Sequence, residues 1–182
     1  MIEVIVLENL PKAKLHNIKS IDDRIKFIKQ QIYKSLIDPE QKIRQLTAEV
    51  IAPCETKDYE CYIAEIFFFV KGNVKYVRDY EGLDTYQTAY RTLQWGMADC
   101  DDFSILLASM LMSIGIPVKL RIIKTIKDTD WSHIYILAGL PPQKPKHWIP
   151  LDASVKESYV GWEAPKHIIK EKKDFRVEFF KE

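Results

Sequence analysis

The sequence is poor in residues that break regular structure. Its 182 residues include only 6 glycines and 9 prolines, and no repeat or low-complexity tract is visible. This composition excludes collagen-like and mucin-like chains, and a hydrophobic fraction of 47% excludes an intrinsically disordered one. A chain of this length buries about 70% of its unfolded surface when it folds. We therefore expect one globular domain over residues 1–182.

An excess of charge is also lacking, as are long apolar runs. Twenty-seven Lys and Arg balance 26 Asp and Glu, so no overall field attracts nucleic acid or anionic lipid. The longest uncharged stretch, residues 103–118, is shorter than a membrane span. The first residues show neither a basic leader nor a small-residue cleavage site. We expect a cytoplasmic protein without a nucleic-acid or membrane partner.

Cysteine is scarce, with only Cys54, Cys61 and Cys100. An odd count without an export signal favours a reducing compartment and at least one free thiol. The six residues between Cys54 and Cys61 do not match the short spacing of zinc knuckles, so we expect no zinc site. Two alternatives stay open for this pair: a local disulfide in an oxidising environment, or two small buried side chains in the cytosol.

Helical periodicity dominates the first half of the sequence. Ser20 and Asp23 resemble a capping box, and apolar residues then recur every three or four positions. The pattern predicts three helices, over residues 20–38, 39–52 and 58–72. The aromatic segment that follows, up to Gln94, carries no clear period.

The second half predicts one buried helix followed by a sheet. Cys100 opens a segment that is apolar nearly all round and ends near Ile114, so this helix belongs at the centre of the domain. Short β-branched or aromatic stretches follow, separated by turn residues. The predicted strands are 118–126, 132–138, 146–151 and 175–180, with a further one at 2–7. Helices first and strands afterwards predict an α+β fold, with an antiparallel sheet packed on the central helix.

Cys100 is a candidate nucleophile. A thiol in the first turn of a helix lies near the positive end of the helix dipole, which favours thiolate and lowers the pKa. The neighbouring carboxylates Asp99, Asp101 and Asp102 act in the opposite direction, so activation needs a cationic partner. A histidine is the obvious source of that cation.

His133 and Asp152 complete a candidate triad with Cys100. His133 lies in a predicted strand, and Asp152 ends the next one, so the carboxylate can bond one ring nitrogen on an adjacent antiparallel strand. Each residue also has an ordinary structural explanation. A cysteine at a helix start is often structural, a strand histidine often has a satisfied partner, and an aspartate at a strand end often caps a turn.

Several ordered segments together resemble the transglutaminase-like superfamily over roughly residues 43–162. They are Val74–Asp79, Gln87-Thr88, Thr92-Leu93, Asp99–Ala108, Ile114–Pro117, Ser132–Tyr135 and Trp148–Asp152. The chain is most similar to the short single-domain members associated with phages and prophages. Those members also tend to carry two upstream cysteines and a Gly-Trp pair, here Gly161-Trp162.

The resemblance implies a papain-like α+β core with a triad at Cys100, His133 and Asp152. Members of the superfamily cleave peptide bonds, transfer glutamine acyl groups to amines or remove glycans from asparagine, all through a thioester. It therefore implies a cysteine hydrolase or acyltransferase that cleaves a peptide or isopeptide bond in a protein or peptide substrate. The usual glycine before Asp-Cys is Ala98 here, which changes the approach to the thiol.

The competing hypothesis is a non-catalytic module on the same fold. Such a module would hold a peptide or a phage-particle partner in its cleft, and the cysteine would be vestigial. Within the domain, the predicted divisions are an N-terminal helical extension over 1–55, a catalytic core over 56–162 and a C-terminal strand and tail over 163–182.

Three further residues complete the predicted site. The resemblance to papain-like proteases makes Gln94 an oxyanion donor beside the backbone N–H of Cys100. Trp95 and Trp131 are expected to line the substrate cleft.

Calcium is the one cofactor to consider. Some bacterial transglutaminase-like proteases ligate Ca²⁺ through acids on both sides of the nucleophile, which here are Asp99 and Asp101. The simpler explanation is that these carboxylates stabilise the helix dipole, without any metal.

Overall fold

The helices before residue 75 form close to where the periodicity predicts them. The structure, a computed structural model, describes residues 20–79 and 85–178. Its first three helices are α1 (Ile21–Leu36), α2 (Lys42–Val50) and α3 (Tyr59–Asn73). Ser20 caps α1 by accepting the Asp23 backbone N–H at 3.2 Å, as its position predicts.

Two helix boundaries differ from the prediction. Helix α2 begins at Lys42 and not at Pro39, because Gln41 directly before it has a left-handed backbone with φ of 50°. Asp38 instead accepts the backbone N–H groups of Glu40 and Lys42 in the turn before the helix. Gly72 lies inside α3 and does not cap it.

A disulfide between Cys54 and Cys61 closes the connection between α2 and α3. Cys54 lies in the turn after α2, and Cys61 lies in the first turn of α3, where Asp58 caps its backbone N–H. Of the two alternatives left open by the sequence, the structure contains the disulfide. Cys100 is then the one free cysteine.

The aromatic segment before Cys100 is more regular than predicted. Helix α4 (Ala89–Trp95) occupies its end, between two short strands that pair in parallel, β1 (Lys75–Tyr76) and β2 (Met97–Ala98). Gly96 joins α4 to β2 with φ of 62°, a conformation that costs other residues energy. This turn carries the chain directly into Cys100.

Helix α5 (Cys100–Ser113) is the buried centre of the fold, as predicted. Every side chain of α5 except that of Ser113 is buried. The helix contacts α1, α2, α3 and α4 as well as strands of the sheet, so its apolar surface is covered on all sides. That surrounding explains why α5 lacks a polar stripe.

Within the described residues, the main sheet has four strands, all antiparallel, in the order β5-β4-β3-β6. Its strands are β3 (Val118–Thr125), β4 (His133–Leu140), β5 (His147–Leu151) and β6 (Ile169–Val177). Leu120 and Ile136, both fully buried, are among the side chains that join the α5 core. The α+β class and the predicted arrangement of a central helix on an antiparallel sheet are confirmed.

The final strand begins earlier than predicted, at Ile169 and not at Phe175. Its first half is lysine-rich and exposed, which suits an edge strand but hides the apolar alternation used for prediction. The end of the predicted strand, and the predicted strand at 2–7, lie outside the described residues. Within the described ranges, no helix is long and apolar enough to cross a membrane.

Candidate active site

Cys100 is the first residue of α5 and is 7% exposed. The preceding Asp99 caps the helix, and one of its carboxylate oxygens accepts the backbone N–H groups of Asp101 and Asp102 at 3.0 and 3.1 Å. This arrangement fixes the helix start, and with it the thiol.

Strand β4 approaches the same end of α5. The backbone of Ile134 hydrogen-bonds the Cys100 thiol. The hydroxyl of Ser104, one turn further along α5, donates to the backbone oxygens of Cys100 at 2.8 Å and of Ile134 at 3.4 Å. The residue after His133 is therefore tied to the candidate nucleophile.

His133 and Asp152 are in direct contact, as their positions on neighbouring strands predict. His133 Nε2 and Asp152 Oδ2 lie 2.6 Å apart, and the carboxylate is only 2% exposed. The other carboxylate oxygen, Oδ1, accepts the Ser154 hydroxyl at 2.7 Å and its backbone N–H at 3.3 Å. Because Nε2 is occupied by Asp152, Nδ1 is the ring nitrogen left for proton exchange with a reacting group.

The loop after Asp152 is held from the helical side of the fold. The Ser158 hydroxyl donates to the backbone oxygen of Asp152. Lys71 on α3 reaches this loop, and its Nζ donates at 2.8 Å both to the Val155 carbonyl and to the Ser158 hydroxyl. Burial lowers the pKa of Lys71, which is consistent with an amine surrounded by protein.

Arg24 of α1 also reaches the site, which the sequence analysis missed. Its guanidinium donates to both carboxylate oxygens of Asp101, with Nη2 2.9 Å from Oδ1 and Nε 3.2 Å from Oδ2. Nη2 also lies 3.8 Å from Cys100 Sγ. A charged residue within an amphipathic helix is usually solvent-exposed, so nothing in the sequence pattern distinguished Arg24.

The pKa of Cys100 is raised well above its ordinary value, which corrects the lowering expected from the helix start and His133. Burial is the largest cause, followed by the charges of Asp101 and Asp99. The charge of Arg24 and the hydrogen bond from Ile134 oppose this rise. The dipole argument failed because it did not include the desolvation of a buried thiol.

The acidic residues around Cys100 are themselves perturbed. Burial, followed by the charges of Asp101 and Asp102, raises the pKa of Asp99 to about 8. Burial raises the pKa of Asp102 to about 7, although Asp102 accepts the Gln87 backbone N–H at 2.7 Å. Asp101, between them in sequence, forms an ion pair with Arg24 at 2.9 Å.

The candidate calcium ligands Asp99 and Asp101 both have protein partners in this structure, and calcium binding stays a prediction. Both oxygens of Asp101 accept hydrogen bonds from Arg24, so a cationic side chain already occupies that carboxylate. One oxygen of Asp99 is committed to capping α5. The described residues contain no cluster of three or more His, Cys, Asp or Glu arranged to hold a metal.

The three remaining predicted residues occupy different environments. Gln94 is exposed at the end of α4, and its role as an oxyanion donor stays a prediction. Trp95 is 46% exposed, with the Arg91 guanidinium 4.0 Å from its ring centre. Trp131 is half-buried against the core. Its carbonyl lies 3.4 Å from Arg24 Nη1, which places its backbone near the candidate site.

Solved structures with a similar fold include two bacterial proteins. A provisionally assigned cysteine protease from Cytophaga hutchinsonii matches with a TM-score of 0.51 and 20% identity, over 75% of this chain and 43% of that one. This chain thus spans less than half of that protein. LapG from Legionella pneumophila, in a calcium-bound form, matches with a TM-score of 0.53 and 17% identity, over 81% of this chain and 80% of its own. At such identities the likeness shows a shared fold.

The family comparison covers the candidate site itself. No curated protein matches the chain. The family model of the transglutaminase-like superfamily matches residues 44–153, a range that contains Cys100, His133 and Asp152 but leaves out Arg24. Because this match covers more than half of the sequence and agrees with the observed fold, the chain belongs to the transglutaminase-like superfamily.

Proposed function

We propose that this protein is a cysteine hydrolase or acyltransferase that cleaves a peptide or isopeptide bond through a thioester at Cys100. The observation that carries the proposal is the 2.6 Å contact between Asp152, directly after β5, and His133 on β4, the strand whose Ile134 backbone hydrogen-bonds the thiol. A buried carboxylate on one ring nitrogen leaves the other to serve as a base for a neighbouring nucleophile. The substrate is then a protein or peptide.

In the proposed reaction, the Cys100 thiol transfers its proton to Nδ1 of His133 as sulfur attacks the substrate carbonyl carbon. Asp152 keeps the ring oriented through Nε2 and stabilises the imidazolium. Collapse of the tetrahedral intermediate breaks the C–N bond, and His133 returns the proton to the departing amine. Water or a second amine then attacks the thioester and regenerates the thiol.

The proposed oxyanion site lies at the start of α5. The backbone N–H of Cys100 is one donor, because the first N–H groups of a helix have no partner within it. Gln94 is the proposed second donor, and its exposed position on α4 leaves its side chain free to rotate. Trp95 and Trp131 are proposed as cleft residues. In this proposal residues 56–162 carry the reaction, while 1–55 and 163–182 support it.

The second candidate is a module that binds a peptide, or a phage-particle partner, without catalysis. The burial of Cys100 and the raised pKa of its thiol favour this alternative, because a neutral buried thiol is a poor nucleophile. The His133–Asp152 pair favours catalysis over binding, since a binding module does not need a carboxylate-oriented imidazole.

The deciding experiment compares the wild type with Cys100→Ala on a proteome-derived peptide library. We expect new peptide termini, or new amide cross-links, with the wild type and neither with the variant. Cys54→Ser/Cys61→Ser is the matched control, because it removes the other two cysteines and keeps Cys100. Peptide capture without cleavage by both the wild type and Cys100→Ala would favour the binding module.

Calcium is not required in this proposal. The Arg24–Asp101 ion pair already supplies positive charge beside Cys100, so we expect millimolar Ca²⁺ and a chelator to leave both the melting temperature and the rate of Cys100 alkylation unchanged. A calcium-dependent rise in both quantities would instead support ligation by Asp99 and Asp101.

A further inference from the structure

Arg24 touches the two chain segments that carry the candidate thiol and imidazole. Its Nη2 lies 2.9 Å from Asp101 Oδ1 and 3.8 Å from Cys100 Sγ, both at the start of α5. Its Nη1 lies 3.4 Å from the carbonyl of Trp131, two residues before His133. One guanidinium therefore bridges the helix and the loop that leads into β4.

The bridge is well suited to fix geometry. Asp101 is 1% exposed, so an ionised carboxylate there requires a partner, and the planar guanidinium provides two hydrogen-bond donors in a fixed arrangement. The Arg24 side chain is 17% exposed, which limits how far solvent can screen the pair. A lysine at this position would supply the positive charge without the fixed pair of donors.

The bridge also sets the balance of charge at the thiol. Two carboxylates of the helix start, Asp99 and Asp101, disfavour a thiolate at Cys100, and Arg24 opposes them from a different helix. The helix that provides this charge lies outside the family match at 44–153. A site built only from the matched region would have the acids without the cation.

We infer that Arg24 is a positioning residue of this active site, which holds Asp101 and the Trp131 segment in place and keeps a positive charge against the Cys100 sulfur. This inference rests on the proposed function for its biological purpose, but its physical content concerns the thiol alone. It makes α1 a part of the reactive centre and not only a support for the core.

The test is the rate of Cys100 alkylation by iodoacetamide at one fixed pH near neutrality, which needs no substrate. Arg24→Gln removes the positive charge that faces both Asp101 and the thiol, and we expect a rate about tenfold lower than that of the wild type. Asp101→Asn leaves Arg24 uncompensated and should raise the rate. The double variant restores neutrality and should return close to the wild-type rate.

Two further variants separate this role from a structural one. Arg24→Lys keeps the charge but not the fixed pair of donors, so we expect a rate between those of the wild type and Arg24→Gln. Arg121→Gln is the matched control, because Arg121 is also largely buried at 14% exposure and forms two ion pairs, with Glu163 and Asp174. Arg121→Gln should lower the melting temperature but leave the alkylation rate of Cys100 close to that of the wild type.

The outcomes separate this inference from the proposed function. A double variant as slow as Arg24→Gln, or alkylation rates that simply follow the melting temperatures of all variants, would overturn the role of Arg24. The expected order of alkylation rates in a protein that cleaves no peptide would support the inference and contradict the proposed enzyme. If the wild type cleaves peptides but Arg24→Gln is alkylated as fast as the wild type, the proposed enzyme is supported and the role of Arg24 is contradicted.

Discussion

At the residue scale, the candidate site combines a buried thiol with a preassembled base. His133 Nε2 lies 2.6 Å from Asp152 Oδ2, and the Ser154 hydroxyl donates to the second carboxylate oxygen. At Cys100, by contrast, the neutral thiol is favoured, because burial and two acids raise its pKa. Deprotonation therefore has to accompany the attack, with His133 as the acceptor.

These separate roles predict that substitutions of His133 and of Asp152 lower activity by different amounts. His133→Ala removes the base, and we expect kcat/KM for peptide cleavage to fall by about 10²- to 10⁴-fold. Asp152→Asn keeps the shape but removes the charge that orients and stabilises the imidazolium, so its loss should be smaller. The double variant should lose no more than about the larger single loss, since the two residues act as a unit. Multiplicative losses would show that they act independently.

Asp102 gives a second prediction, in the pH dependence of stability. Its pKa is about 7 in the folded protein against an ordinary value of 3.8, so between these values the folded state keeps a proton that the unfolded state has lost. This acid therefore lowers the free energy of unfolding as the pH rises through that window, and the loss remains above about pH 7. Asp99, whose pKa is also raised, acts in the same direction.

Asp102→Asn has no such proton to lose, and its amide oxygen can still accept the Gln87 backbone N–H. We expect the variant to gain stability relative to the wild type between about pH 4 and about pH 8, measured by urea unfolding at each pH. Asp174→Asn is a useful comparison, because the pKa of Asp174 is lowered, chiefly by its hydrogen bond with Arg121. Equal pH profiles for Asp102→Asn and the wild type would contradict the prediction.

The sequence marked Cys100, His133 and Asp152 as candidates through their local positions, a helix start, a strand start and a strand end, together with the family resemblance. Arg24 has no such place, since its importance depends on how α1 packs on α5, 77 residues from Asp101 along the chain. The direction of the Cys100 pKa was also beyond the sequence, because it depends on burial. Local pattern thus identifies candidate site residues, whereas tertiary packing sets the direction in which the pKa of a side chain shifts.

At the element scale, the Cys54–Cys61 disulfide ties the loop after α2 to the first turn of α3. It closes a short loop, with a sequence separation of 7, so the chain-entropy argument gives a stabilisation of about 2 kcal/mol. We expect Cys54→Ser/Cys61→Ser to lose about that much free energy of unfolding in urea, and the wild type to lose a similar amount in reductant. A wild type that is equally stable with and without reductant would argue against the bond.

The disulfide also bears on the expected location of the protein. Cytosolic glutathione and thioredoxin keep most thiols reduced, so a stable Cys54–Cys61 bond fits an oxidising environment better than the cytoplasm that the sequence analysis favoured. The cytoplasmic location stays a prediction. Counting labelled thiols without reductant, where one per chain is expected, would decide the redox state of purified protein.

The elements that the sequence predicted best are those with the strongest periodicity. Helices α1, α3 and α5 each have an Asp or Ser cap and a regular or continuous apolar surface. Helix α4 was missed because its seven residues complete only two turns, too few for a period to be visible. Strand β6 was placed late because its exposed lysines show no apolar face.

At the scale of the whole molecule, the packing of α5 connects stability to the site. The same helix that presents Cys100 at its first residue contacts the four other α-helices of the described residues and part of the sheet. Side chains from both sides of the fold therefore meet at the helix start, Arg24 from α1 and the Ile134 backbone from β4. The candidate site is a product of the complete fold and not of one local segment.

The outer strand β6 determines how far the C-terminus can be truncated without exposing a sheet edge. It pairs with β3 along Val118–Thr125, on the side of β3 opposite to β4, although it lies beyond the family match at 44–153. A recombinant protein shortened at residue 153 would leave the N–H and C=O groups along that side of β3 unpaired, and such an edge recruits strands from other molecules. We expect light scattering to detect self-association of the shortened protein, while a version ending at residue 178 stays monodisperse. The limits of the recognised family region would thus make poor boundaries for expressing this protein.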